Sequence, residues 1–342
     1  NGAEMNTCGL QWVTFDGTGL FDDEEILNPV YTPTFADAIT GTVHLVLLGA
    51  PCGACTVAAQ DTMALTIQKR PELYAGDADI MCEDASYTLA DATAENFSAL
   101  LWSSSGDGTW DDPALLNATY TPGPMDKALG VVELCLTGFS IAPCLGFEQA
   151  CMTLNIQLNP SVDILPTDSI ICEGDSFDFT NLVTYGNYSA IQWFTTNGVG
   201  DYTDEQIEFP TYDPSPFDWE QCYNVGPIVL YVVVSPLNPC VNSAVDTMYL
   251  RFQKPVEVNA GDDATICEDA TYTLMPVIEN GGDVLWTTSG TGTFDDATLA
   301  GATYTPSADD IAAGFVELCI EVQGLSTCPA DEDCMIVSFK LN

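Results

Sequence analysis

Basic residues are nearly absent from this sequence of 342 residues. Six Lys and Arg face fifty Asp and Glu, for a formal net charge of −44. A surface of that sign repels phosphate backbones and anionic membranes, so nucleic-acid binding and direct membrane insertion are excluded. There is one histidine, His44. It falls on the outward parity of its strand, aligned with Glu133 and Glu317, and reads as a solvated strand residue. Ser-His and Cys-His mechanisms therefore lack a base. No apolar run is long enough to span a bilayer, and no signal peptide is present. Gly-rich phosphate loops, HExxH and the nucleophile elbow are all missing. The expectation is a protein that is not an enzyme.

What is abundant points elsewhere. Apolar residues make up 46% of the chain, enough for real cores, and the length suits three or four domains of about 100 residues. Fourteen cysteines are present, with Cys52 and Cys55 as the one Cys-x-x-Cys and no histidine pair to complete a zinc site. Disulfides formed in an oxidising, extracellular compartment are the better account.

The sequence repeats itself. AGDADIMCEDASYTL at 75–89 returns as AGDDATICEDATYTL at 260–274, and WSSSGDGTWDD at 102–112 as WTTSGTGTFDD at 286–296. Trp12, Trp102, Trp193 and Trp286 recur every 90 to 93 residues, followed by Tyr-Thr/Asp-Pro corners at Tyr31, Tyr120, Tyr212 and Tyr304. Such periodicity marks stacked structural units. The expected domains are 1–73, 74–160, 161–255 and 256–342. The first is incomplete: eleven residues precede its tryptophan, against 28 to 32 in the others. Either the sequence is a window on a longer protein, or another chain donates the missing strands. Proline at the short seams stiffens the joints, so an extended rod is expected. Lys69, Arg70, Arg251, Lys254 and Lys340 lie at repeat ends, as partners for acidic groups at seams or simply as strand ends; Lys127 alone lies inside a repeat.

Each copy shows short alternating strands between turn clusters, which indicates an all-β, immunoglobulin-like sandwich. Val132, Leu134 and Leu136 face the core, whereas Glu133, Cys135 and Thr137 face solvent; Met152, Leu154 and Ile156 alternate likewise with Cys151, Thr153 and Asn155. Cys135 and Cys151 occur together, as do Cys319 and Cys334, and the first copy has Val46 and Thr62 in their places. The expected bridges are Cys135–Cys151 and Cys319–Cys334. The remaining cysteines suggest Cys82–Cys144, Cys172–Cys240 and Cys267–Cys328, each clipping a domain entrance to a late loop of the same repeat. Cys8 pairs with Cys52 or Cys55, and Cys222 and one cysteine of the first copy are left over.

Paired carboxylates recur at Asp22-Asp23, Asp111-Asp112 and Asp295-Asp296, each after a Gly-x-Gly turn. A glycosidase also uses two carboxylates, but across a cleft and not once per repeat. Calcium is the sharper reading, since it takes six to eight oxygen ligands. Its candidate ligands are Asp77, Asp79, Asp262 and Asp263 at the seams, and Asp111, Asp112, Asp295 and Asp296 at the turns. The plainer reading is turn capping on a solvated acidic surface.

Cys267-Glu-Asp-Ala-Thr-Tyr-Thr-Leu274, Trp286-Thr-Thr-Ser-Gly-Thr-Gly-Thr-Phe-Asp-Asp296 and Ala302-Thr-Tyr-Thr-Pro-Ser-Ala-Asp-Asp-Ile-Ala-Ala-Gly314 are distinctive together. They resemble the PKD-like, immunoglobulin-like repeats of giant cell-surface proteins of the Bacteroidota, among them gliding-motility-type adhesins exported by type IX secretion. The likeness is close in the second and fourth copies, clear in the first, and weak in the third. It implies an extracellular structural or adhesive repeat region of a surface protein or filament. The alternatives are a calcium- or glycan-binding module, or a passive stalk for an enzyme domain elsewhere. Implied partners are other copies or repeats of the same protein and a surface or glycan ligand. Proteins of that phylum also carry O-linked glycans at Asp-Ser/Thr motifs, which implies Thr62, Ser169 and Thr247 as modification sites.

Overall fold

The computed structural model describes residues 7–54 and 56–340. The chain divides into two compact units, 1–158 and 159–342. Each unit holds two hydrophobic cores built around one of the repeated tryptophans.

The last three repeats share one immunoglobulin-like sandwich. In the second, strands Phe97–Ser104, Val131–Ser140 and Phe147–Gln157 pair antiparallel, and Asp79–Cys82 adds parallel to the far edge. A three-stranded sheet of Tyr87–Thr88, Thr119–Thr121 and Thr109–Trp110 forms the other layer. A short pair, Glu72–Tyr74 with Thr93–Glu95, completes the repeat. It starts this sandwich at Glu72, two residues ahead of the boundary expected at 74.

The third repeat reproduces the four-stranded sheet with Asp168–Cys172, Ala244–Gln253, Ile228–Pro236 and Tyr188–Thr195. The fourth does so with Ala264–Cys267, Asp331–Lys340, Phe315–Gly324 and Gly281–Thr288. In the first repeat the sheet has three strands, Leu10–Thr14, Thr42–Gly49 and Ala59–Thr66, beside a single pair, Leu20–Phe21 with Tyr31–Thr32. Among the described residues no strand pairs with the outer edge of Ala59–Thr66.

Strand alternation places the core where the pattern of apolar residues demands. Val132, Leu134 and Leu136 are buried, as are Met152, Leu154 and Ile156, while Glu133, Cys151, Thr153 and Asn155 are exposed. All four tryptophans are buried, and three donate Nε1–H to a carbonyl fourteen residues on: Trp102 to Leu116, Trp193 to Ile207 and Trp286 to Ala300, each over 3.1 Å. That bond lets a large amphipathic ring sit inside the sandwich without an orphaned donor. Trp12 of the first repeat has no such partner among the described residues.

Candidate functional site

Two constructions stand out, a buried corner that recurs inside each repeat and a covalent seam between the third and fourth repeats. The corner begins with the sequence Tyr-x-Pro-x-x-x-Asp. The proline ends a short strand, the next residues open a helical turn, and the Asp falls at its third position. Thr34, Ser215 and Ser307 cap these helices with their side chains, and Gly123 takes the cap position in the second repeat. The N3 side chains Asp37, Asp126, Asp218 and Asp310 fold back inward, and all four are buried.

Each is met by the tyrosine hydroxyl six residues earlier. Tyr31 donates to Asp37 over 2.9 Å, Tyr120 to Asp126 over 2.6 Å, Tyr212 to Asp218 over 2.9 Å and Tyr304 to Asp310 over 2.8 Å. The Gly-x-Gly turn supplies backbone donors to the same carboxylates: Thr18 N–H over 2.7 Å, Asp107 over 3.2 Å, Val199 over 2.7 Å and Thr291 over 2.8 Å. The third repeat keeps this turn as Gly198-Val199-Gly200. Glycine is required because a Cβ on Gly292 would lie 2.5 Å from the Thr305 carbonyl oxygen. The N–H groups of Thr34, Gly123, Ser215 and Ser307 complete the shells.

A carboxylate taken from water needs such a shell to stay charged. Burial alone pushes the Asp310 carboxyl up. The N–H groups of Ser307 and Thr291 and the Tyr304 hydroxyl outweigh it and hold the group below its ordinary range. Asp37 is lowered in the same way, with burial opposed by Thr18, Thr34 and Tyr31. Burial and then Asp126 push the Tyr120 hydroxyl up to about 12. The four aspartates therefore hold turn, corner and helix together, and they are absent from the candidate residues read from sequence. The signal was present as Tyr-x-Pro-x-x-x-Asp repeated four times.

The candidate calcium ligands are placed otherwise. Asp111 Oδ1 accepts from the N–H of Asp112 and Thr119, and Asp295 Oδ1 from the N–H of Asp296 and Thr303. Asp112 and Asp296 accept from the N–H of Ala114 and Thr298. These are turn caps, and the Thr119 and Thr303 N–H groups hold Asp111 and Asp295 below the usual carboxylate range. Asp79 accepts from Tyr87 over 2.8 Å, Asp77 is hydrogen-bonded to Tyr74, and both line a cleft of about 320 Å³ with Asp91. Asp263 accepts from Ile336 N–H, and Asp262 lies beside it in the chain.

Among the described residues, none of the eight joins a group of three acidic, Cys or His ligand atoms within 4.8 Å. The two groups that do form contain Cys135 with Cys151 and Cys319 with Cys334, whose sulfurs are bound to each other and are not thiolate ligands. His44 Nδ1 lies 2.7 Å from Asp16, half exposed, on the outer face of its strand. Thr62 is exposed, while Ser169 and Thr247 are half-buried, all three within strands.

The cysteines revise part of the expected pairing. Cys135 faces Cys151, and Cys319 faces Cys334, each as cross-strand neighbours with Cα atoms 4.0 Å apart, and both pairs are bonded. Cys8 is bonded to Cys52; Cys55 lies outside the described residues. The three entrance-to-late-loop bridges within single repeats do not form. Cys172 is bonded to Cys328 of the following repeat, so neither Cys172–Cys240 nor Cys267–Cys328 exists. Cys144 and Cys267 are free, which removes Cys82–Cys144. Cys82 and Cys240 are each disulfide-bonded, but not to those expected partners. Cys222, on helix Pro216–Asn224, is free and half-buried.

Strand direction explains the correction. Cys82 pairs with Gln157 at the end of strand Phe147–Gln157, whereas Cys144 precedes the start of that strand. Ten steps at about 3.3 Å separate these ends by about 33 Å, and a disulfide needs Cα atoms about 4.4–6.8 Å apart. Cys172, opposite Gln253, stands at the exit of its repeat, beside the next one.

At that seam Cys328 Sγ also lies 3.4 Å from the Gln253 carbonyl oxygen, and Lys254 Nζ sits 5.1 Å above the Tyr223 ring. Tyr223 donates to Glu173 over 2.8 Å, and burial followed by Glu173 raises its pKa. Between the first and second repeats, Arg70 pairs with Glu148 over 3.1 Å, and Cys144 Sγ lies 3.2 Å from the Gln68 carbonyl oxygen. Arg251 pairs with Asp168 inside the third repeat. These exposed ion pairs add about 0–1 kcal/mol each, so the disulfide dominates the seam.

No protein-family model and no curated protein matches the chain. Among solved structures, extracellular cadherin domains 3–6 of protocadherin gamma B2 align at 12% identity and TM-score 0.39, covering 97% of this chain and 92% of that one. Human CDH23 cadherin domains 21–23 align at 15% and 0.40, covering 79% and 100%. Titin domains I67–I69, in a Glu-to-Ala variant, align at 10% and 0.37, covering 80% and 98%. Likeness at this level says nothing of function.

Proposed function

We propose that this chain is the extracellular structural and adhesive repeat region of a large bacterial cell-surface protein or filament, and that it performs no catalysis. The observation that carries this reading is the bond from Cys172 to Cys328, which ties one sandwich to the next over 156 residues of sequence. A bridge between repeats resists their separation under load, a property a catalyst has no need of. Disulfides of this number belong to an oxidising compartment, and no helix among the described residues is long and apolar enough to cross a membrane. The acidic surface keeps neighbouring chains apart in solution. The resemblance of residues 267–314 to repeats of Bacteroidota surface proteins supports the same reading, including export by type IX secretion.

The test is immunogold electron microscopy of intact, unpermeabilised cells with an antibody raised to residues 74–160. Gold extending outward from the cell surface is the expected result. Gold confined to the interior or to the medium overturns the surface assignment.

A further inference from the structure

We propose that the outer face of the four-stranded sheet in the third repeat is a pairing surface for the same face of a second copy of this chain. A sheet with one side on the core turns polar residues to water on the other. In the second and fourth repeats that side carries glutamates and a disulfide. The strand partners of the three tryptophans align Leu136, Val232 and Ile320. On that alignment Val229 stands where the sister repeats have Glu133 and Glu317. Val233 faces Val245 where Glu321 faces Glu332 in the fourth repeat. Tyr231 and Thr247 take the places of the bonded pairs Cys135–Cys151 and Cys319–Cys334.

These replacements form one patch. Phe194 stacks on Tyr231 across the strand pair, with ring centroids 5.1 Å apart and planes 19° apart. Phe194, Tyr249 and Val245 are 39%, 44% and 56% exposed. A contiguous apolar face left in water marks a contact surface, and aromatic residues are enriched at such contacts.

Charge selects the partner. The chain carries −44, so two copies repel wherever their carboxylates meet. Along the outward positions of these four strands the charged residues are Asp168 and Arg251, and they pair with each other over 3.1 Å. Charges farther away are screened beyond about 8 Å in physiological salt. A locally neutral face therefore lets two acidic chains meet, and a two-fold contact uses the same patch on both sides. Area sets the strength. Four strands about 4.8 Å apart and eight residues long at about 3.3 Å each give about 500 Å² per copy. The pair buries about 1,000 Å², the lower end of specific association. Single copies pair weakly, and repetition along neighbouring chains multiplies the contact. That last step rests on the filament reading above; the face itself does not.

The test is sedimentation equilibrium of the whole chain, with the free thiols of Cys144, Cys222 and Cys267 alkylated to prevent disulfide-linked dimers. The expected result is a reversible dimer that tightens at least about threefold between about 0.05 and 0.5 M NaCl, as repulsion elsewhere is screened. The triple variant Val229→Glu, Val233→Glu, Val245→Glu installs charges that the fourth repeat already carries on a folded face. It should weaken pairing at least about tenfold, because like charges then meet across the contact. The uncharged pair Phe194→Ser and Tyr249→Thr, which copies Ser103 and Thr153, should weaken it too, with near-UV circular dichroism confirming the fold of each variant. A photo-crosslinker in place of Val233 should join the third repeat of one copy to the third repeat of another. A chain that stays monomeric to about 1 mM at both salt concentrations, a dimer indifferent to both variants, or cross-links outside the third repeat overturns the proposal. So does sugar on Thr247 in chain isolated from its own cells, since Thr247 lies opposite Tyr231 within the face. Pairing is read in solution, so its failure would leave the surface assignment standing.

Discussion

Tyr304 Oη donates to Asp310 over 2.8 Å, with both side chains buried and six residues apart, and the same pair closes the corner of all four repeats. The bond joins a strand end to a helix start and holds a charged group in the interior.

Removing the tyrosine hydroxyl leaves a buried carboxylate short of a donor. Tyr212→Phe and Tyr304→Phe should each destabilise their repeat by about 1–3 kcal/mol, the usual cost of an unsatisfied buried group. Urea unfolding followed by tryptophan fluorescence reads this, since Trp193 and Trp286 report on the two cores. A loss no larger than that of an exposed control, Tyr249→Phe, would contradict the role given to the corner.

The same carboxylates set the response to acid. Asp37 and Asp310 have folded pKa values below their ordinary value, so the unfolded chain takes up protons first as pH falls. Their stabilisation is complete above the unfolded pKa of about 3.9 and is lost as pH drops through the lower folded values. Melting temperature should be level from neutral pH to about 5 and fall steeply below about 4. Asp310→Asn should lower the plateau and flatten that fall for the fourth repeat.

The seam disulfide shields chain from extension. Pulled from its ends, the oxidised protein cannot pay out the residues between Cys172 and Cys328, a separation of 156. Fully extended, these span about 550 Å at about 3.5 Å each. Single-molecule force curves should lengthen on Cys172→Ser substitution, by less than that full span because the Cys319–Cys334 bridge and the bond at Cys240 cross the same stretch. The substitution should also lower the melting temperature of the third and fourth repeats, since closing so long a loop is worth about 5 kcal/mol in the chain-entropy model. An unchanged contour length would mean that the bridge bears no load.

Calcium should have little effect. Asp111 and Asp295 already accept two N–H groups each, and Asp79 accepts a tyrosine hydroxyl. Differential scanning calorimetry in millimolar calcium and in EDTA should give the same transitions. A calcium-dependent rise would restore the cleft beside Asp77, Asp79 and Asp91 as a site.

Much of the sandwich was legible because strand alternation is a local signal. The parity of Val132, Leu134 and Leu136 against Cys135 assigned core and surface, and the joint presence of Cys135 and Cys151 identified neighbours across a strand pair. The corner aspartates were overlooked for a physical reason. With fifty acidic residues in 342, a surface role is the default for any one of them, and only the fold reveals that Asp37, Asp126, Asp218 and Asp310 turn inward. The entrance cysteines failed differently: their positions repeat correctly, but position in a repeat does not say at which end of a sheet a residue stands.

The sequence by itself determined the repeats, the all-β class, the buried tryptophans and the adjacent-strand disulfides, because each is carried by strand alternation within a few residues or by recurrence of the same residues from copy to copy. Tertiary structure decided that Asp79–Cys82 and its equivalents run parallel to the last strand of their repeats. That direction places Cys172 at the exit of its sandwich and Cys328 at the entry of the next. Local pattern carries no information about which way a distant strand is laid down. Here that orientation turns an expected clip within one repeat into a bond between two.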